Sequence, residues 1–114
     1  MGAGDTDHLA VELQRARADL QYLQAEYAEL ADPAVQSLDD EHDAEGSTIG
    51  FERARVAGLV RRAEQRIAEL EAAAERALAG AYSRCERCGQ AIGWERLRAL
   101  PATRICVGCA AAKG

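Results

Sequence analysis

Four cysteines, Cys85, Cys88, Cys106 and Cys109, are the only thiols in the 114-residue chain, and they fall into two Cys-x-x-Cys pairs. A two-residue spacer turns both sulfurs of a pair to the same side of a tight turn, so two pairs can close a tetrahedron of thiolates around one ion. The chemistry implied is a single structural zinc ion. With all four thiols acting as ligands, no position is left for a metal-bound water and no thiol for nucleophilic catalysis, so no enzymatic activity is expected of this site. The competing chemistries fit less well. A disulfide pair suits a secreted chain, yet the N-terminus, Met1 to Asp7, lacks the basic and apolar regions of a secretory signal. A redox Cys-x-x-Cys would open a helix after a strand in a βαβ unit, a pattern absent from this sequence.

A second group of reactive side chains is Asp39, Asp40, Glu41, Asp43 and Glu45, with His42 among them. Paired carboxylates perform general acid and base work only where a cleft perturbs their acidity, and an exposed loop offers none. Their spacing also differs from that of an EF-hand. Crowded like charges repel, so these acids add nothing to the stability of the isolated chain, and His42 reads as a solvated loop residue.

The elements that must carry both groups are legible from periodicity. Leu9, Leu13, Ala16, Leu20, Leu23, Tyr27 and Leu30 recur at steps of four and three, the signature of a helix whose partner is another helix. Thr6 or Asp5 can serve as its N-cap, and Asp32-Pro33 ends it because proline has no amide to donate and drives the preceding residue out of the α region. Ile49, Val56, Val60, Ala63, Ile67, Leu70, Ala74 and Ala77 repeat the pattern in a second helix, with Ser47 as N-cap and Gly80 as terminator. The helices are placed at about 7–31 and 47–79, with a tip loop over 32–46. Joined by one loop they must run antiparallel, which sets Leu30 near Ile49, Leu23 near Val56, Leu20 near Val60, Ala16 near Ala63, Leu13 near Ile67 and Leu9 near Leu70. Ser47 to Leu70 would then span about 35 Å, a stiff rod with the acids at its tip. Ala74, Ala77 and Leu78 lie beyond the paired stretch and are free to pack on the metal module or the N-terminal residues. In that module, Trp94 to Ala99 reads as a short helix before Pro101, and Ile92, Trp94, Leu97 and Leu100 supply a small apolar side. Trp94 is read as core rather than as a stacking platform for a base.

Composition agrees with thin helical packing stapled by a metal. Aromatic residues make up 4% of the chain, too few for a thick core. No apolar run approaches the length of a membrane span, and a cytoplasmic monomer is expected. The net charge of −5 is unevenly spread: residues 1–46 carry −10, residues 47–83 carry +1 and residues 84–114 carry +4. An acidic front and a basic rear suit docking on a large patterned partner and oppose the coating of DNA, so no sequence-specific DNA binding is expected.

Cys85-x-x-Cys88-Gly89-x-x-Ile92, then Arg96-Leu97-x-Ala99-x-Pro101, then Cys106-x-x-Cys109-Ala110, behind a helical hairpin with an acidic tip, resembles the DksA/TraR C4-type zinc finger proteins of bacteria. The resemblance implies an all-α fold, an antiparallel coiled-coil hairpin (1–80) with a small C-terminal four-cysteine zinc-finger module (81–114). It also implies a transcription regulator that binds RNA polymerase directly. The hairpin of such a protein enters the secondary channel, where carboxylates at its tip act near the catalytic magnesium. Asp39, Asp40, Asp43 and Glu45 are the corresponding tip residues here. The family's tip motif is Asp-x-x-Asp-x-Ala; Asp40 and Asp43 match its acids, and Glu45 stands where alanine is expected. Only five residues follow Cys109, so a guanosine tetraphosphate site that needs a long C-terminal helix would lack one wall. Two readings of other kinds remain: a zinc ribbon binding nucleic acid through Arg84, Arg87, Arg96, Arg98 and Arg104, and a helical adaptor that dimerises through exposed apolar positions.

Overall fold

A computed structural model describes residues 4–34 and 43–113. It contains two long helices, α1 (Gly4–Leu30) and α2 (Asp43–Leu78), and two short ones, α3 (Trp94–Ala99) and α4 (Val107–Lys113). No strand forms among the described residues; one isolated antiparallel bridge joins Arg84 to Ala91. The all-α hairpin and finger expected from the sequence are therefore present.

Each long helix starts earlier than its side-chain caps suggested. α1 begins at Gly4, so Thr6 lies inside it, and α2 begins at Asp43, so Gly46 and Ser47 lie in its first turns. Acidic residues at the positive end of a helix dipole favour such an extension, and Asp43 and Glu45 occupy that end of α2. Asp32-Pro33 ends α1 as expected and also opens a new helical turn: the Ala34 amide donates to Asp32 Oδ1 at 2.8 Å, with Pro33 in the first helical position, where its missing amide is not needed. Asp39 and Asp40 lie outside the described residues.

The described residues form two compact units, one made of those up to Arg15 together with those from Ile67 onward, the other of Ala16–Arg66. In the second unit, antiparallel segments of α1 and α2 bury Ala16 and Val56, while Leu20, Leu23, Val60 and Ala63 are half-buried. The apolar stripe is thus a narrow seam, as a two-helix arrangement dictates. In the first unit, Leu9, Leu70, Ala73, Tyr82, Ile92 and Leu97 form the core. Ala73 is fully buried in this core, whereas Leu78, expected to pack on the module, is 91% exposed. One residue further along a helix turns the side chain by about 100°, enough to carry Leu78 off the stripe that Ala77 shares.

α2 ends in a Schellman turn. Ala81 N–H donates to Arg76 O at 2.8 Å and Gly80 N–H to Ala77 O at 3.1 Å, while Gly80 has φ 75°, a conformation only glycine adopts without strain. The turn delivers the chain directly into the first cysteine pair.

Candidate metal centre

The first knuckle is built by its backbone. Cys85 N–H donates to Gln90 O at 2.8 Å, Gly89 N–H to Cys85 O at 3.0 Å and Ile92 N–H to Ser83 O at 2.7 Å. Closing that loop requires φ 77° at Gly89, the position where the sequence places a glycine. Amides also point at the sulfurs, Gln90 N–H at Cys88 Sγ and Cys109 N–H at Cys106 Sγ, both 3.4 Å away. In the second knuckle α4 starts at Val107, between the two cysteines, and runs for seven residues to Lys113.

The four Sγ atoms lie within 4.8 Å of one another. Cys85 to Cys109 and Cys88 to Cys106 are each 3.7 Å apart. Four ligands at about 2.3 Å around a tetrahedral zinc stand about 3.8 Å from each other, so the cluster has the dimensions the ion requires. None of the sulfurs is joined in a disulfide. Burial works against a charge at Cys85, but amide donors from Cys88, Cys106 and Arg87 overcome it and lower its thiol to about 6. The amide of Cys109 lowers Cys106 as well. Cys109 is pushed up to about 12, because hydrogen bonding with the Cys106, Cys88 and Cys85 sulfurs favours its protonated form. Such a spread is what four thiols show when they share room for one cation: the first ionises readily and the last resists until a metal compensates the charge. The cluster is a one-ion C4 zinc site.

Around it, the segment Pro101 to Ile105 has no ladder of its own, and its carbonyls are satisfied from elsewhere. Tyr82 Oη donates to Pro101 O at 2.8 Å, Arg76 Nη2 to Thr103 O at 3.3 Å, Glu86 N–H to Arg104 O at 2.9 Å and Arg96 Nε to Ile105 O at 2.9 Å. Glu86 and Arg104 also form an ion pair at 3.0 Å. Arg76 is half-buried; burial, and then the Arg104 guanidinium, lower its pKa, and its Nη1 has no hydrogen-bond partner. His8, from α1, completes the surround. The single proton of the Tyr82 hydroxyl goes to Pro101, so the 3.0 Å contact between His8 Nε2 and Tyr82 Oη is a bond donated by His8. Trp94 meets the His8 ring edge-on, with centroids 5.0 Å apart at 89°, and is 40% exposed, more open than a core residue.

The sequence reading found the ligands but not this surround. His8 and Tyr82 are 74 residues apart, and neither sits in a motif; a polar side chain beside Leu9 on the apolar stripe is the one signal that marked His8. The tip acids are positioned only in part: Asp43 and Glu45 belong to the first turn of α2, and Asp39 and Asp40 are outside the described residues. No described helix is long and apolar enough to cross a membrane.

Residues 80–113 match the family model described as the prokaryotic dksA/traR C4-type zinc finger. No curated protein sequence matches the chain. Among solved structures, that of transcription factor DksA2 from Pseudomonas aeruginosa matches with a TM-score of 0.84, over 96% of this chain and 79% of that one, at 22% identity. The resemblance read from the knuckles thus holds for the finger, and the fold is the one that DksA2 adopts.

Proposed function

We propose that this chain regulates transcription by binding RNA polymerase directly, with the acidic segment between α1 and α2 inserted into the secondary channel and with the finger and the arginines of α2 anchoring it. The observation that carries this reading is the clustering of five carboxylates within residues 39–45 of the sequence, after α1 and at the start of α2, in a chain whose finger is of the DksA/TraR type. Two packed helices can enter a pore that excludes a globular domain. Clustered acids that repel in the free chain become favourable opposite basic groups or a bound metal ion. The nucleic-acid alternative draws less support, because Arg84, Arg96 and Arg104 are directed at Gly89 O, Ile105 O and Glu86 within the module itself.

The test is binding to core RNA polymerase, followed by initiation from a ribosomal promoter. Changing Asp40 and Asp43 together to Asn should abolish the effect on transcription while polymerase binding and helix content persist. Absence of binding by the unaltered chain at micromolar concentration would reject the proposal.

A further inference from the structure

The second unit holds a groove of about 420 Å³ that the tip and the finger do not use. Ala57 and Val60 line it with apolar surface, and Tyr27, Gln24 and Arg61 complete the lining. Tyr27 occupies a seam position of α1, yet its side chain is left 38% exposed. We propose that this groove seats an acidic segment of RNA polymerase, with an apolar side chain of that segment against Ala57, Val60 and Tyr27 and a carboxylate at Arg61; the proposal rests on the polymerase reading above.

Two observations select an acidic occupant, and a third calls for one that lies close. From Arg53 to Arg66 the chain carries five arginines against one acid, Glu64, within a protein of net charge −5. In that stretch Arg55 is already held by Glu52 at 2.7 Å, whereas Arg61, Gln24 and Tyr27 make no side-chain hydrogen bond or ion pair among the described residues. A cation with free donors beside an apolar surface matches a carboxylate next to an aliphatic or aromatic side chain, and charge complementarity of this kind chooses partners and register. The third observation is Gly58, which lies inside α2 one turn before Arg61. A Cβ there would meet only Arg61 Nη2, at 3.8 Å, an ordinary contact. Packing within the chain therefore gives no reason for a residue that weakens the helix, and a partner's backbone lying close over position 58 does.

The experiment titrates the fluorescently labelled, zinc-loaded full chain with core RNA polymerase. Arg61→Glu should weaken binding about tenfold or more, and Arg61→Lys should retain most of it. Gly58→Ala should raise the melting temperature and yet weaken binding about fivefold, opposite signs that a purely structural role cannot produce. Unaltered binding by both Arg61→Glu and Gly58→Ala, with helix content intact, would remove the groove and leave the polymerase reading standing. Failure of the unaltered chain to bind would overturn both.

Discussion

Tyr82→Phe removes one oxygen and nothing else, and the structure fixes what that oxygen does. The Tyr82 side chain is 5% exposed, and its hydroxyl donates to Pro101 O at 2.8 Å while accepting from His8 Nε2 at 3.0 Å. Phenylalanine keeps the ring and its packing but leaves a buried carbonyl without a donor and an imidazole N–H without an acceptor. Each buried group so stranded costs about 1 to 3 kcal/mol. Half-buried His8 recovers part of its share from water, so the total is about 2 to 4 kcal/mol. For a chain of this size that corresponds to a fall in melting temperature of roughly 10 °C or more. The assay is thermal unfolding followed by circular dichroism, with zinc in excess and metal content measured on each variant, so that loss of the ion is not mistaken for loss of the bond. His8→Ala and the double variant complete a cycle. Because the two residues share one bond, their effects should fall short of additivity by about 1 kcal/mol. A melting temperature within about 2 °C of the unaltered chain, or strict additivity, would show that the hydroxyl does not tie α1 to the finger.

Two further outcomes follow from the metal centre. Gly89→Ala meets no steric obstacle, since nothing lies within 4 Å of a Cβ there, so its effect comes from φ 77° alone. A cost of about 1 to 2 kcal/mol should weaken zinc binding roughly tenfold in competition with a chromogenic chelator while leaving stoichiometry at one, and an unchanged affinity would contradict the turn geometry. In the metal-free chain Cys109 holds its proton up to about pH 12, whereas the zinc-bound sulfur carries none, so binding at pH 7 must release at least one proton. Affinity therefore rises with pH below that value and falls on acidification. Calorimetry in buffers of different ionisation enthalpy reads the proton count directly, and a count of zero would refute the thiolate assignment.

What was legible in the sequence obeys rules that act over a few residues. The cysteine pairs, the short helix over 94–99 and the terminator at position 80 each follow from one backbone constraint and one residue able to meet it. The apolar stripes of α1 and α2 were legible for the same reason, since a period needs only its own helix. Start points were harder, because Ser47 is a strong cap in isolation and helix continues through it once acids occupy the preceding turn. Hidden altogether were bonds whose partners are brought together by the fold: Arg76 to Thr103 across 27 residues, Tyr82 to Pro101 across 19 and His8 to Tyr82 across 74. Arginines that read as a nucleic-acid surface when counted along the chain prove, at positions 96 and 104, to be internal fasteners.

Those fasteners bear on how zinc is bound. Four links hold the segment that presents Cys106: a tyrosine hydroxyl, two guanidinium groups and one amide, drawn from α2, the first knuckle, α3 and the turn between α2 and that knuckle. None of them involves a sulfur. Contacts that use none of the ligand atoms therefore help to hold the second pair within 3.7 Å of the first. A site assembled in this way spends less of the metal's binding free energy on ordering chain, and its tightness depends on groups well outside the coordination sphere. Sparse aromatic content, which argued for a metal in place of a core, is only half of the explanation. Hydrogen bonds to the carbonyls of one short loop without a ladder of its own do the rest, and the end of α2 and the finger belong to a single compact unit.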